Sequence, residues 1–487
     1  MLNLPAGRGA PPPGHPEPRL KPQASAAPKT QARGLNVIPL NPAGARGEHF
    51  ARITDDPLSG AFSSKTAVHA GLGGRPVPQS EIPAALETLR DTPRSGPAAA
   101  YVHMPYCETR CLYCGFFGGK YSPEAGAAYV RTLTGEIESE ARRASVVSSP
   151  VNALYIGGGT PTALQAKELA ALLRALRSAL PLANDCEITV EGRLHSFDED
   201  KIEACLKEGA NRFSLGVQSF NTKLRRGLGR VSSREEVLRK LRALAAYNQA
   251  AVILDLIYGL PGQTLEDWEE ELRTFLDLPL DGVDLYQLNI FPGSLLAKAV
   301  ETGKTPPPAP LAEQGKFFAL GVSLLQAARC RRISMSHWSC TPRERNLYNP
   351  LAKSRADCLH YGAGAGGFLQ GWFMYNHADV ETYSAKCARG EKPVAALAAP
   401  PEDLPLMRLI LGQMEQCRLN FDTLGENLAR LFGAKADARA LYAPLLENWE
   451  EAGLISRDGP WMELTLAGQF WQVNLTQALI ERVRFKC

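Results

Sequence analysis

The 487-residue chain has no apolar stretch approaching the roughly 18 residues that a membrane span requires. Its first residues, MLNLPAGRGAPPPGHPEPRL, lack the apolar centre of a secretory signal. Both absences predict a cytoplasmic protein with no membrane partner. A surplus of one charge is also missing, since 54 lysines and arginines face 51 aspartates and glutamates. Phosphate binding needs a localised basic excess, so this balance argues against a nucleic-acid partner and for a small-molecule substrate. Cysteines are few, eleven in all, and eight of them, from Cys186 to Cys487, follow no framework spacing. Scattered thiols of this kind are expected to act mostly as small hydrophobes in a reducing compartment.

The other three behave differently. Cys107, Cys111 and Cys114 stand at C-x3-C-x2-C spacing directly after the apolar run Ala99-Ala100-Tyr101-Val102. With eleven cysteines in 487 residues, chance supplies about 0.006 such triplets. Iron-sulfur clusters usually take four cysteines, one thiolate per iron. A loop offering three therefore predicts a cluster with one iron open to a substrate. The alternative is a zinc site of three thiolates closed by His103.

Composition and periodicity divide the chain. Residues 1–55 are rich in Pro, Ala, Gly and Arg without hydrophobic periodicity and are expected to be a disordered tail. Residues 56–98 suggest one short helix and irregular chain covering the main domain. From 99 to 345, six short β-type runs alternate with amphipathic segments, such as Leu169, Leu172, Leu173, Leu176 and Leu180. That alternation predicts an α/β architecture with parallel strands, a partial (β/α)6 barrel whose ligands sit at the carboxyl ends of the strands. Residues 346–400 form a Gly-rich connecting segment containing GAGAGGFLQGWF. Residues 401–487 read as a C-terminal helical, winged-helix-like domain: Leu424, Leu428, Leu431 and Phe432 share a helix face, and LISRDGPWMELT forms a hairpin about Asp458-Gly459. From Phe421 to Cys487 nine acidic residues outnumber seven basic ones, which favours packing or substrate capping over DNA binding.

Polar residues gather where the predicted strands end. Gly157-Gly158-Gly159-Thr160-Pro161 follows the second; bare glycines suit either close backbone approach to a ligand or a tight strand-to-helix turn. Glu191 ends the third and Gln218 the fourth, Arg230 follows Gln218 by twelve residues, and Asp255 sits within the fifth. Buried unpaired carboxylates are costly, so each needs a ligand or a local cap or ion pair.

YVHMPYCETRCLYCGFF resembles the cluster loop of radical S-adenosylmethionine (SAM) enzymes, in the branch that handles tetrapyrroles, and Tyr113 before the last cysteine fits that pattern. The resemblance implies a 4Fe-4S cluster on Cys107, Cys111 and Cys114, with the open iron chelating the amino and carboxylate groups of SAM. Reductive cleavage of SAM would then give a 5'-deoxyadenosyl radical, the cofactor carrying the difficult chemistry. It further implies that Gly158, Gly159 and Thr160 contact the methionine moiety. Glu191, Gln218, Arg230 and Asp255, in the GVQSF and LDLIYGLP pattern, would hold the ribose and carboxylate of SAM; Tyr101 belongs to the same match.

The branch is chosen by other residues. Oxygen-independent coproporphyrinogen III oxidases carry a fourth cysteine two residues after the third, where this chain has Phe116. Haem chaperones of the superfamily usually carry an acidic residue after the last cysteine, here Gly115. The segment HWSCTPRERNLYNPLAKSRADCLHYGAGAGG at 337–367, like CGFF, resembles the anaerobic haem-degrading methyltransferases, or anaerobilin synthases. Gly118, Gly119 and Met104 depart from that family's pattern. What the likeness implies is a double use of SAM, one molecule generating the radical and a second supplying a methyl-derived carbon to a meso position of haem. The macrocycle opens to a linear tetrapyrrole, iron is released, and a flavodoxin-type or other low-potential donor supplies electrons. From the residues themselves, Arg343 and Arg345 suit the haem propionates, His337, Cys340 or His103 suit the iron, and Trp338, Trp372 and Phe373 suit the ring. Each has a plainer alternative as an exposed arginine, a core histidine or a packing aromatic.

Overall fold

The computed structural model describes residues 49–65, 74–432 and 437–482, so the tail expected over 1–55 lies outside the described residues as far as residue 48. The six expected strands are β1 (Ala98–Met104), β2 (Val151–Gly158), β3 (Leu182–Gly192), β4 (Arg212–Gln218), β5 (Ala251–Tyr258) and β6 (Gly282–Gln287). They lie side by side, in chain order and parallel. Helices α1 (Pro123–Glu140), α2 (Ala166–Ala179), α3 (Glu199–Lys207), α4 (Arg234–Ala246) and α5 (Leu265–Leu276) make the crossovers.

Sequence periodicity explains both layers. In α2, the leucines at 169, 172, 173 and 176 are all fully buried; each contributes roughly 1.5–3 kcal/mol by leaving water. A capping box of Gln165 and Glu168 starts this helix, satisfying amide groups that its first turn leaves free. Along β4 to β6, Phe213, Leu215, Leu254, Leu256 and Val283 face the helices. The intervening residues, among them Arg212, Ser214, Asp255 and Asp284, face the concave side. Polar residues thus enter strands that are apolar on the other face.

Beyond β6 the chain does more than connect. Strand β7 (His337–Ser339) runs antiparallel to β6, and β8 (Asp357–Tyr361) returns parallel to β1 at the other edge, with Leu359 opposite Ala100. The Gly-rich segment expected to be a connection builds three further antiparallel strands, β9 (Gly366–Leu369), β10 (Trp372–Asn376) and β11 (Val394–Ala399). Its glycines serve the reversals: the two-residue loop Gln370-Gly371 has both φ values positive, 51° and 87°. Between β7 and β8, the short helix α6 (Tyr348–Lys353) enters the concave face, where Tyr348 stacks on Tyr155 at 4.6 Å and on Tyr101 at 6.1 Å.

The C-terminal unit contains the helices Leu404–Met414, Phe421–Phe432, Ala438–Glu451 and Gln472–Arg482 around a three-stranded sheet with the expected hairpin, Ile455–Asp458 against Trp461–Leu464. The side chain of Phe432 lies outside the described residues. Residues 49–55, assigned by composition to the tail, are fastened to this unit: Asn448 Oδ1 accepts from the Ala51 amide at 2.7 Å, and Trp449 Nε1 donates to the His49 carbonyl at 2.9 Å. Partners distant in sequence supply what local periodicity lacks. Among the described residues, no helix is long and apolar enough to cross a membrane.

Candidate active site

The cysteine loop leaves β1 at its carboxyl end and is fixed by backbone bonds to two neighbours. Leu112 N donates to Leu228 O at 3.2 Å, and Leu296 N donates to Leu112 O at 2.9 Å. Cys107 and Cys111 are 1% exposed. Thr160 Oγ1 donates to Cys107 Sγ, and the Phe116 amide donates to Cys114 Sγ, each at 3.3 Å. Burial pushes the Cys107 and Cys114 thiols up, the hydroxyl and the amide oppose this, and neighbouring loop cysteines add to the rise. Iron binding reverses that balance, because a coordinating thiol loses its proton.

Gly158 and Gly159 stand directly behind this loop. Gly159 N donates to Met104 O at 2.6 Å and Thr160 N to Tyr106 O at 2.9 Å. A Cβ on Gly159 would meet Tyr106 O at 2.6 Å; Gly158 has φ of +107°, and a Cβ there would meet the His103 ring at 2.7 Å. These glycines therefore have a packing role as the seat of the cysteine loop, whatever else their amides bind.

Around the mouth, Glu191 Oε2 accepts from Gly158 N at 3.2 Å. Burial, and then the nearby Asp255, push its carboxyl up to about 8. Burial, and then Asp284, raise Asp255 to about 7. Arg230 donates from Nη2 to the Tyr113 hydroxyl at 3.0 Å and from Nη1 to Gly216 O. Gln218 adopts φ of +66°, a conformation that costs a non-glycine residue on the order of 1–3 kcal/mol. The buried atoms Gln218 Oε1 and Arg230 Nε have no hydrogen-bond partner among the described residues. Orphaned polar atoms at one mouth suit a polar ligand. Tyr101 lies deeper, its hydroxyl 2.9 Å from His103 Nδ1.

Cys107, Cys111, Cys114, Tyr113, Gly158, Gly159, Thr160, Glu191, Gln218, Arg230 and Asp255 thus share the carboxyl-end mouth. Among the described residues no three His, Cys, Asp or Glu side chains converge where a single ion could bind. The zinc alternative with His103 therefore finds no closed site, whereas a cluster takes each thiolate on a different iron. The donor set fits a three-thiolate cluster with a polar ligand beside it.

Of the residues proposed for haem contact, His103 lies behind the cysteine loop, whereas His337, Trp338, Cys340, Arg343 and Arg345 are not brought to this mouth. His337 is fully buried, with Nδ1 2.7 Å from Asp284 Oδ2 and Nε2 2.9 Å from Glu344 Oε1. These carboxylates overcome the lowering effect of burial and raise the imidazole to about 9, so both nitrogens hold protons and neither can ligate iron. Arg343 donates to Asn248 Oδ1 and Ala250 O at 2.7 and 2.6 Å, and Arg345 to Asp185 Oδ2 and O at 3.1 and 2.7 Å. Asp185 and Ala250 lie at the amino-terminal ends of β3 and β5, so both arginines stand at the opposite end of the barrel from the cysteines. Trp338 is 2% exposed in β7 and cannot face a ring. Cys340 is joined to Cys330 in a disulfide, because the register Arg331 to Ser339 places the two cysteines opposite each other.

RERNLYN is instead the barrel floor. Arg212 Nε donates to both Glu344 oxygens at 3.1 and 3.0 Å, giving the chain Arg212, Glu344, His337, Asp284. No motif marks Arg212, Glu344, Asp284, Tyr155 and Tyr348 as site residues, and they join the site only through the fold. Arg212 and Asp284 carry a signal as polar residues at period two in otherwise apolar strands, whereas Glu344 and Tyr348 lie outside the strands and carry none.

A family model described as the radical SAM superfamily matches residues 101–275. The chain is 39% identical over 451 residues to an anaerobilin synthase of Escherichia coli O157:H7, covering 92% of this chain and 96% of that one. It is 30% identical over 307 residues to the haem chaperone HemW of Escherichia coli strain K12, covering 58% and 79%. The solved structure of coproporphyrinogen III oxidase from Escherichia coli superposes with a TM-score of 0.68 at 23% identity, covering 82% and 93%, which shows a common fold. The chain belongs to the radical SAM superfamily and, within it, to the family that includes anaerobilin synthase.

Proposed function

We propose that this protein is a radical SAM C-methyltransferase that methylates and opens haem under anaerobic conditions, yielding a linear tetrapyrrole and free iron. Membership of the superfamily implies a 4Fe-4S cluster and SAM. The observation that carries the reading is the match to an anaerobilin synthase over 92% of this chain and 96% of that one, where the haem chaperone covers 58% of this chain. Phe116, at the position of the extra cysteine in the coproporphyrinogen oxidase pattern, is 65% exposed beside the cluster loop. Two SAM molecules per turnover, a flavodoxin-type or other low-potential electron donor and a cytoplasmic setting complete the reading.

When bound, the cluster supplies the electron that cleaves SAM. The chain's part is to bind and orient. Cys107, Cys111 and Cys114 hold three irons. Gly158, Gly159 and Thr160 receive the methionine end, and Glu191, Gln218, Arg230 and Asp255 offer the hydrogen bonds that ribose and carboxylate need. Tyr113 steadies the Arg230 guanidinium through the 3.0 Å bond. Glu191→Ala and Asp255→Ala are expected to weaken SAM binding by roughly 1.5–3 kcal/mol each, the value of a hydrogen bond to a charged group. Iron content should stay unchanged. Equilibrium dialysis checks this, and unaltered affinity in both variants would remove these carboxylates from the SAM site.

The reaction is tested with SAM carrying a deuterated methyl group, haem and a low-potential reductant without oxygen. Methylation and opening should place deuterium in the linear tetrapyrrole and, through hydrogen abstraction from that methyl, in 5'-deoxyadenosine. A decarboxylating oxidase would leave both unlabelled, and a chaperone would form no stoichiometric 5'-deoxyadenosine. Either result refutes the proposal.

A further inference from the structure

A cavity of about 550 Å³ opens between the β6 side of the barrel and the C-terminal unit. That volume suits one small-molecule ligand of substantial size. Its walls include the aromatic side chains of Tyr286, Phe368 and Phe470. Its charged lining is unbalanced: Lys65, Lys353 and Arg355 face one carboxylate, Glu415, which pairs with Lys353 at 2.8 Å. Lys65 stands 3.9 Å over the Phe470 ring.

Arg355 is the telling residue. It is 6% exposed, with φ of +54°, and its own carbonyl accepts from Arg408 Nη2 at 2.5 Å. Its guanidinium lies 5.6 Å from the centre of the Phe368 ring. Among the described residues no carboxylate forms an ion pair with it; Asp403 acts on it only at a distance. A buried cation without a counter-ion is costly, and an anion entering the cavity would remove that cost.

The cavity also borders the concave side of the barrel. Tyr286 lines it, follows Asp284 by two residues on β6, and lies in the field of Asp255, Tyr155 and Glu191. Tyr286 and Asp284, two residues apart, point to the same face of β6, so the cavity lies on the side of the sheet that carries Asp255.

We propose that this cavity binds a flat, largely apolar dicarboxylate, with Arg355 and Lys353 taking its carboxylates and Phe368 and Tyr286 its ring. On the haem-opening reading, on which this identity rests, the ligand is haem held by its propionates. The C-terminal unit then forms one wall of the substrate site.

The test is a haem titration of the full-length, anaerobically reconstituted protein, followed by Soret absorbance and repeated with haem dimethyl ester, whose propionates carry no charge. SAM affinity reports the integrity of each variant. The wild type should bind haem about tenfold or more tightly than the ester. Arg355→Ala should lose most of that preference, Lys353 keeping the remainder, and Arg355→Lys should recover part of it. Ala352→Trp, which fills the cavity without removing a charge, should weaken both ligands about tenfold or more. Arg345→Ala, at the other end of the barrel, should leave haem affinity unchanged. A wild type without preference for haem overturns the carboxylate contacts. Preference and affinity retained in Arg355→Ala and Ala352→Trp place haem elsewhere and overturn the cavity assignment while the haem-opening reading stands. A wild type that binds neither ligand removes that reading, and the site with it.

Discussion

Replacing Cys107, Cys111 or Cys114 by alanine, one at a time, is expected to abolish 5'-deoxyadenosine formation, the largest effect any single substitution should have here. On the proposed function each of these cysteines carries one iron of the cluster, and among the described residues no other cysteine lies in the loop. Among the other cysteines, Cys186, Cys205 and Cys358 are buried elsewhere, and Cys330 and Cys340 are bonded to each other. The reconstituted wild type should contain about four irons per chain and absorb in the visible range through its thiolate-to-iron bands. The variants should lose that absorbance while keeping their far-ultraviolet circular dichroism, because the loop is anchored by backbone bonds at Leu112 and Gly159. A variant that retains four irons and cleaves SAM would exclude that cysteine from the cluster.

Glu344→Gln should produce the largest loss of stability. Glu344 is fully buried between the Arg212 guanidinium and the His337 imidazolium, themselves 2% and 0% exposed. Removing its charge leaves Arg212 with only the more distant Glu187 and His337 with Asp284 alone, and breaking a buried pair in this way costs about 3–5 kcal/mol. Chemical denaturation monitored by tryptophan fluorescence measures it, and a change within about 0.5 kcal/mol would show that the floor is not held by charge. The pH dependence follows from the shifts. His337, raised from 6.5 to about 9, contributes stability that is complete below its unfolded value and lost as pH climbs through 9. Glu344 and Asp284, held below their usual values of 4.5 and 3.8, contribute stability present above those values and lost as pH falls through their lower folded ones. The wild type should therefore show an alkaline loss near pH 9 that is reduced in Glu344→Gln.

The amino-acid sequence by itself determined the alternation of strands and helices, because period-two and period-3.6 patterns record which face each segment buries. It also determined the cysteine loop, whose three cysteines come from one short stretch, and it marked Gly158, Glu191 and Gln218 at strand ends and Asp255 within the fifth strand. These features are local or follow from the register of parallel strands. Tertiary structure decided the rest. Local sequence could not tell that Arg343 and Arg345 point to the amino-terminal ends of the strands, since that depends on where the chain re-enters the sheet after β7. Nor could it pair Arg212 with Glu344 across 132 residues, or show that this pair and Asp284 would fix His337 as a buried cation. The fastening of residues 49–55 to Asn448 and Trp449 is of the same kind. Arg355 reads in sequence as one more surface arginine; only the packing of β9 and the C-terminal unit around it makes it a buried cation facing a cavity, because burial belongs to the assembled fold and not to any one segment.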